Sequence, residues 1–182
     1  MVGKGRHSVL GVRSIDPVLA LVAPIGLTAA LGTGLVIDMA PMSPRSGRTL
    51  AELAVDGPSL AELSPGRQGV AFLDAGEIEG SEAIAVIERL AARWPAVTLR
   101  VEGGDWPFPV VPVMPLYPGR LLPPVEGRGV WQPVAGGSSP PGPGPVLPRL
   151  PGRTVARLLR GQLPRRSRWI AAWRPIWDMP WA

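Results

Sequence analysis

An α/β fold with a mainly parallel sheet of about four to five strands and flanking helices is what this chain predicts, on three observations. Short, mostly apolar runs recur at residues 19–23, 35–38, 70–74, 96–101 and 110–116, as buried strands of a parallel sheet do. Helical patterns fall between several of them. The connections are short, and strands alternating with helices through short connections favour crossovers and a parallel sheet.

Residues 19–23, Leu-Ala-Leu-Val-Ala, form the first predicted strand, closed by Pro24. Residues 25–31 have room for two helical turns, with Gly32 and Gly34 ending them. Residues 35–38 are the second strand, with Asp38 at its carboxyl end. Residues 49–55 predict a short helix and 56–59 a turn, with Ser59 or Ser64 framing a further helical stretch at 60–63. Residues 70–74 are the third strand. The strongest helix follows: Ser81 as N-cap, Glu77, Glu79 and Glu82 at the dipole-positive end, Arg89 and Arg93 in the last turns, and Pro95 as stop. Its apolar positions Ile84, Ile87, Leu90, Ala91 and Trp94 keep a helical stripe. Residues 96–101 are the fourth strand. Residues 110–116 are a fifth, which Pro112 and Pro115 push to a sheet edge or out of the sheet.

The predicted organisation is a flexible N-terminus at 1–14, an α/β domain at 15–134, a Pro/Gly-rich linker at 135–151 and a basic Trp/Arg-rich segment at 152–182. The linker contains Gly-Gly-Ser-Ser-Pro-Pro-Gly-Pro-Gly-Pro, which need not pack. Residues 154–163 predict a short basic helix, with Arg153, Arg157 and Arg160 away from its apolar side. The chain has 182 residues, 46% of them hydrophobic, room for one ordinary domain and a tail. Residues 18–37 are uncharged and long enough to span a bilayer, yet Pro24, Gly26, Gly32 and Gly34 break them up.

Several function classes fall away on composition. There is no cysteine, which removes disulfides, thiolate metal sites and cysteine nucleophiles. The one histidine, His7, lies in a polar N-terminal stretch, which argues against a histidine triad or metal cluster. Asp74, Glu77, Glu79 and Glu82 do not match a hard-cation spacing and are explained by the helix dipole. Gly76, Gly80, Gly103 and Gly104 read as turn-formers rather than phosphate cradles. No catalytic constellation is recognisable, and neither a cofactor nor a metal is called for.

Charge is segregated. Residues 1–128 carry 11 basic and 13 acidic side chains, whereas residues 129–182 carry 8 arginines and the single acid Asp178. A basic end on a mildly acidic body points to an anionic partner. All basic side chains but Lys4 are arginine, which with the abundance of Ala, Gly and Pro suggests a high-GC bacterial genome.

The order of strands and helices over residues 16–118 resembles a ParA/MinD-type (deviant Walker A) ATPase. In that family a strand enters a phosphate loop and helix, and the next strand ends in an aspartate. Asp38 occupies that matching position, in Leu35-Val-Ile-Asp38-Met-Ala-Pro41, and the helix and strands at 49–53, 70–74, 81–94 and 97–101 follow in similar order. The resemblance implies a Rossmann-like or degenerate P-loop core. The phosphate loop itself departs from the family. It should be glycine-rich and end in Gly-Lys-Thr, so that backbone N–H groups and a lysine hold the phosphates. Here it reads Ala23-Pro-Ile-Gly-Leu-Thr-Ala29, and Arg100-Val-Glu102-Gly-Gly stands where an aspartate would serve magnesium. The resemblance therefore implies that hydrolysis has been lost.

The candidate functional residues lie in the last eighteen positions. Trp169, Trp173, Trp177 and Trp181 recur every four residues, interleaved with Arg165, Arg166, Arg168 and Arg174. On a helix such rings drift by about 40° per step into a slanted stripe, although Pro175 and Pro180 prevent one clean helix. Tryptophan and arginine suit an interface hot spot, and also an anionic membrane surface. Stacking on unpaired bases ranks lower because the body is acidic. The tail folding back onto its own domain ranks between these. The function expected is a non-catalytic adaptor or regulator that docks through this tail on a protein partner or an anionic membrane surface, cytoplasmic or peripheral at the inner membrane face. The alternatives are a divergent nucleotide-binding enzyme and a small membrane protein spanning at residues 18–37.

Overall fold

The computed structural model describes residues 7–40, 47–64, 69–119, 127–135, 139–164 and 166–181. In chain order the elements are β1 (Val9–Ser14), α1 (Pro17–Ala29), β2 (Thr33–Asp38), α2 (Leu50–Asp56), α3 (Leu60–Leu63), β3 (Gly69–Asp74), α4 (Gly80–Ala91), β4 (Val97–Arg100), β5 (Val110–Leu116), β6 (Val130–Pro133), α5 (Gly152–Leu159) and α6 (Arg168–Ala171), followed by a 3-10 turn (Arg174–Asp178). The six strands form one sheet in the order β3-β2-β4-β1-β5-β6, and every pairing is parallel.

The expected α/β class with its parallel sheet is therefore present, while several expected boundaries are not. Residues 9–14, assigned above to a flexible terminus, are β1, a central strand whose Leu10 and Val12 are buried. Residues 19–23, expected as a strand, are the middle of α1. This run has no amphipathic stripe because α1 is covered on both sides, by the sheet and by the C-terminal segment. Pro24 sits within it; beside it the Thr28 hydroxyl donates to the Pro24 carbonyl at 2.8 Å and shares a hydrogen bond with the Thr98 hydroxyl at 2.8 Å. The uncharged stretch 18–37 is thus a 13-residue helix, a turn at Gly32 (φ +87°) and a strand. Among the described residues no helix is long and apolar enough to cross a membrane.

Strand β5 is neither at the edge nor outside the sheet, despite its two prolines, because it pairs with both β1 and β6. Alternate residues of a strand address opposite neighbours. The Leu116 carbonyl accepts from Val134 N, so even-numbered positions face β6. Pro112 then addresses β6 at the level of Gly129, one residue before that strand begins. Pro115 addresses the β1 side beyond Ser14, where that pairing has ended. Neither missing N–H leaves a gap in a ladder. β6 was not foreseen at all, and Ser81, expected as an N-cap, lies within α4, whose N-cap is Glu79 without a side-chain cap.

The helices lie on both faces of the sheet. One face holds α2 and α4, with Leu50, Leu53, Ile87 and Leu90 packed on Ile37 and Leu99. On the other face α1 is sandwiched between the sheet and α5, α6 and the 3-10 turn. The Pro/Gly stretch expected to be a free linker is built into the structure where it is described. Pro143 and Pro145 carbonyls accept from Gly129 N and Trp131 N, and Leu147 N donates back to Trp131 O at 2.8 Å. This strap runs parallel along the outer edge of β6. Gly144 (φ +138°) approaches the Gly129 backbone so closely that a Cβ would overlap its carbonyl.

Candidate functional site

In open parallel α/β sheets ligands bind outside the carboxyl ends of the strands, where successive connections leave in opposite directions. Here the chain leaves β1 toward β2 and leaves β5 toward β6, so one such crevice falls between β1 and β5, and a second lies between β2 and β4. The protein fills the first with its own side chains. Only Ile15 and Asp16 separate β1 from α1. The Asp16 carboxylate accepts from Val18 N and Leu19 N, both at 2.9 Å, and Tyr117 Oη donates to its other oxygen at 2.8 Å. Ser14 Oγ donates to Val113 O at 2.7 Å. A carboxylate thus occupies the helix end at which this architecture would otherwise receive a phosphate. The loop at residues 23–29 compared above with a phosphate loop is interior helix.

Asp38 does lie at the carboxyl end of β2, in register with Asp74 and Arg100. Its carboxylate accepts from Arg100 Nη1 at 2.5 Å and from Ala40 N at 3.2 Å, and both charged side chains are nearly fully buried. Arg100 also donates to the Ala40 carbonyl and reaches Glu102 at 3.4 Å. A buried guanidinium in contact with Asp38 repels a cation at this point. Among the described residues no group of His, Asp or Glu is arranged to hold a metal ion.

The C-terminal residues divide by type. Trp169, Trp173, Trp177 and Trp181 are 1%, 0%, 0% and 9% exposed and belong to the core around α1. Trp169 Nε1 donates to Gln132 Oε1 at 2.6 Å, Trp177 Nε1 to Leu27 O at 2.8 Å and Trp181 Nε1 to Ile176 O at 2.8 Å. Trp169 and Trp173 meet edge to face with centroids 5.4 Å apart. The expectation that these rings present themselves to a partner or a membrane is corrected here: their apolar area is already spent on the protein's own interior. Arg166, Arg168 and Arg174 are exposed, and Arg165 lies outside the described residues.

The exposed arginines do not stand alone. Arg149 from the strap, Arg153 and Arg157 from α5, and Arg166 and Arg168 ahead of and at the start of α6 line one groove of about 540 Å³. Among the described residues no carboxylate lines it and none of the five makes an ion pair. Arg153 and Arg157 are four apart on one helix, where like charges destabilise by a few tenths of a kcal/mol. Arg153 also stands in the first turn of α5, beside the positive end of the dipole. The arrangement costs the fold something and concentrates positive potential in a concave place. Arg149, Arg153 and Arg157 were missed as site residues because they are distant in sequence from the tryptophans. The signal that points to them is the i, i+4 arginine pair.

Compared with known proteins, the chain matches no family model, no curated protein and no solved structure.

Proposed function

We propose that this protein is a non-catalytic adaptor or regulator, working in the cytoplasm, that docks on an acidic protein partner through the arginine-lined face formed by the strap, α5 and the residues ahead of α6. The observation that carries this reading is that five arginines line one groove without a carboxylate among its described lining residues. Arginine clusters are suited to acidic and phosphorylated surfaces because the planar fork pairs bidentately with oxyanions. The crevice at the carboxyl ends of β1 and β5 is closed by Asp16 and Tyr117, which favours docking over turnover. An ancestry in ParA/MinD-like ATPases is supported by the parallel sheet and by Asp38 at the end of β2, with the phosphate loop replaced by a two-residue turn. A membrane as docking partner loses its main support with the burial of the indoles, since interfacial anchoring draws on aromatic rings at the surface.

The test is fluorescence anisotropy of a labelled glutamate-rich peptide with the full chain and with an Arg153→Gln, Arg157→Gln, Arg166→Gln variant. Wild type is expected to bind with an affinity that falls steeply with salt. The variant is expected to bind more than about tenfold more weakly, with a melting temperature no lower than that of wild type, because all three side chains are exposed and the like-charge pair of α5 is removed. Equal binding by both proteins would refute the reading.

A further inference from the structure

We infer that the arginine groove is a binding site for a small soluble ligand carrying more than one phosphate group. This rests on the reading of the arginine face as the working surface and goes further by naming the ligand. Three features beyond charge point to phosphate. The first is shape: about 540 Å³ of concave space lies within the range of small-ligand sites, and a flat bilayer does not enter a concavity. The second is the start of α5. Its N-cap, Pro151, has no side chain able to cap, and among the described residues the N–H groups of Gly152 and Arg153 have no acceptor. An eight-residue helix therefore opens onto the groove with its donors unused, next to Arg153 and Arg157.

The third feature is Thr154. It lines the groove, is 6% exposed, and its hydroxyl has no hydrogen-bond partner among the described residues. The unpartnered hydroxyl of this nearly buried residue, beside free backbone N–H groups, supplies the neutral donors that a phosphate oxygen takes in addition to guanidinium. A carboxylate has two oxygens and is satisfied by one arginine fork. Five arginines contributed by three separate segments exceed what one phosphate needs, and the surplus fits a second.

Isothermal titration of the full chain with pyrophosphate and with citrate, anions of comparable charge, tests this. Pyrophosphate is expected to bind about tenfold more tightly or better. Arg153→Gln is expected to weaken it about tenfold, as loss of a charged hydrogen bond does. Thr154→Val, which changes no charge, is expected to weaken it about fivefold, with Thr154→Ser restoring it. Arg93→Gln, at an exposed position beyond α4, is expected to leave it unchanged. Melting curves of each variant separate loss of the site from loss of the fold. Equal affinity for citrate, or a Thr154→Val variant that binds like wild type, overturns the phosphate site while the docking reading stands. Silence toward both anions and the glutamate-rich peptide removes both. Flotation with anionic vesicles that Arg153→Gln abolishes, in a chain that does not bind pyrophosphate, assigns the face to lipid and overturns a soluble ligand.

Discussion

A Cβ at Gly26 would lie 2.4 Å from Cζ3 of Trp169 and 2.8 Å from Nε1 of Trp173, so the absence of a side chain lets two indoles rest on the backbone of α1. Gly26 reads in the sequence as a breaker, because glycine weakens a helix by about 1 kcal/mol relative to alanine. In the fold it is a contact surface. Gly26→Ala tests which description applies. On a free helix the substitution stabilises, whereas here overpacking is expected to cost about 1–3 kcal/mol, measured as a lower midpoint in urea unfolding; a higher midpoint would show that the indoles do not sit on α1. The four-residue interval of the tryptophans was plain in the sequence. Which side of the boundary they occupy was not, since an amphipathic ring suits an interface and an interior equally.

The short helices α2 and α3 show what was legible at the scale of an element. Thr49 with Glu52, and Ser59 with Glu62, each form a reciprocal capping box, a pattern confined to four residues and therefore written in the sequence. The Ser59 backbone N–H, then its hydroxyl, and the Arg48 guanidinium hold the Glu62 carboxyl below its ordinary range. A depressed carboxyl stabilises the folded state fully above its unfolded value, about pH 4.3, and the contribution is lost as the pH falls through the folded value. Glu62→Gln is therefore expected to unfold at lower denaturant than wild type at neutral pH, with the difference closing in acid; a constant difference across that range would be against this origin. Helix α1 marks the opposite case. Covered on both sides, it carries no periodicity, and an apolar run without periodicity is as compatible with a strand as with a helix.

For the whole molecule, the C-terminal segment is an integral part of the core and not an appendage. Removing residues 149–182 deletes α5, α6, the 3-10 turn and four buried indoles. Loss of one such ring costs about 3–5 kcal/mol, and four exceed the total stability of an ordinary domain. The truncated chain is expected to show no cooperative thermal transition by circular dichroism, and a melting curve like that of the full chain would mean the segment is independent. The sequence by itself determined the α/β class, most strand positions, the cap at Ser59 and the confinement of net positive charge to the last third of the chain. Each of these depends on residues within a few positions of one another. Only the tertiary structure decided that α1 is a helix, that β6 and the proline strap extend the sheet, and that the tryptophans lie inside. It also brought Arg149, Arg153, Arg157, Arg166 and Arg168 to one groove. The reason is that apolar burial has no direction: it dictates that indoles leave water, but not which surface receives them, and the arginines followed wherever the rings were placed.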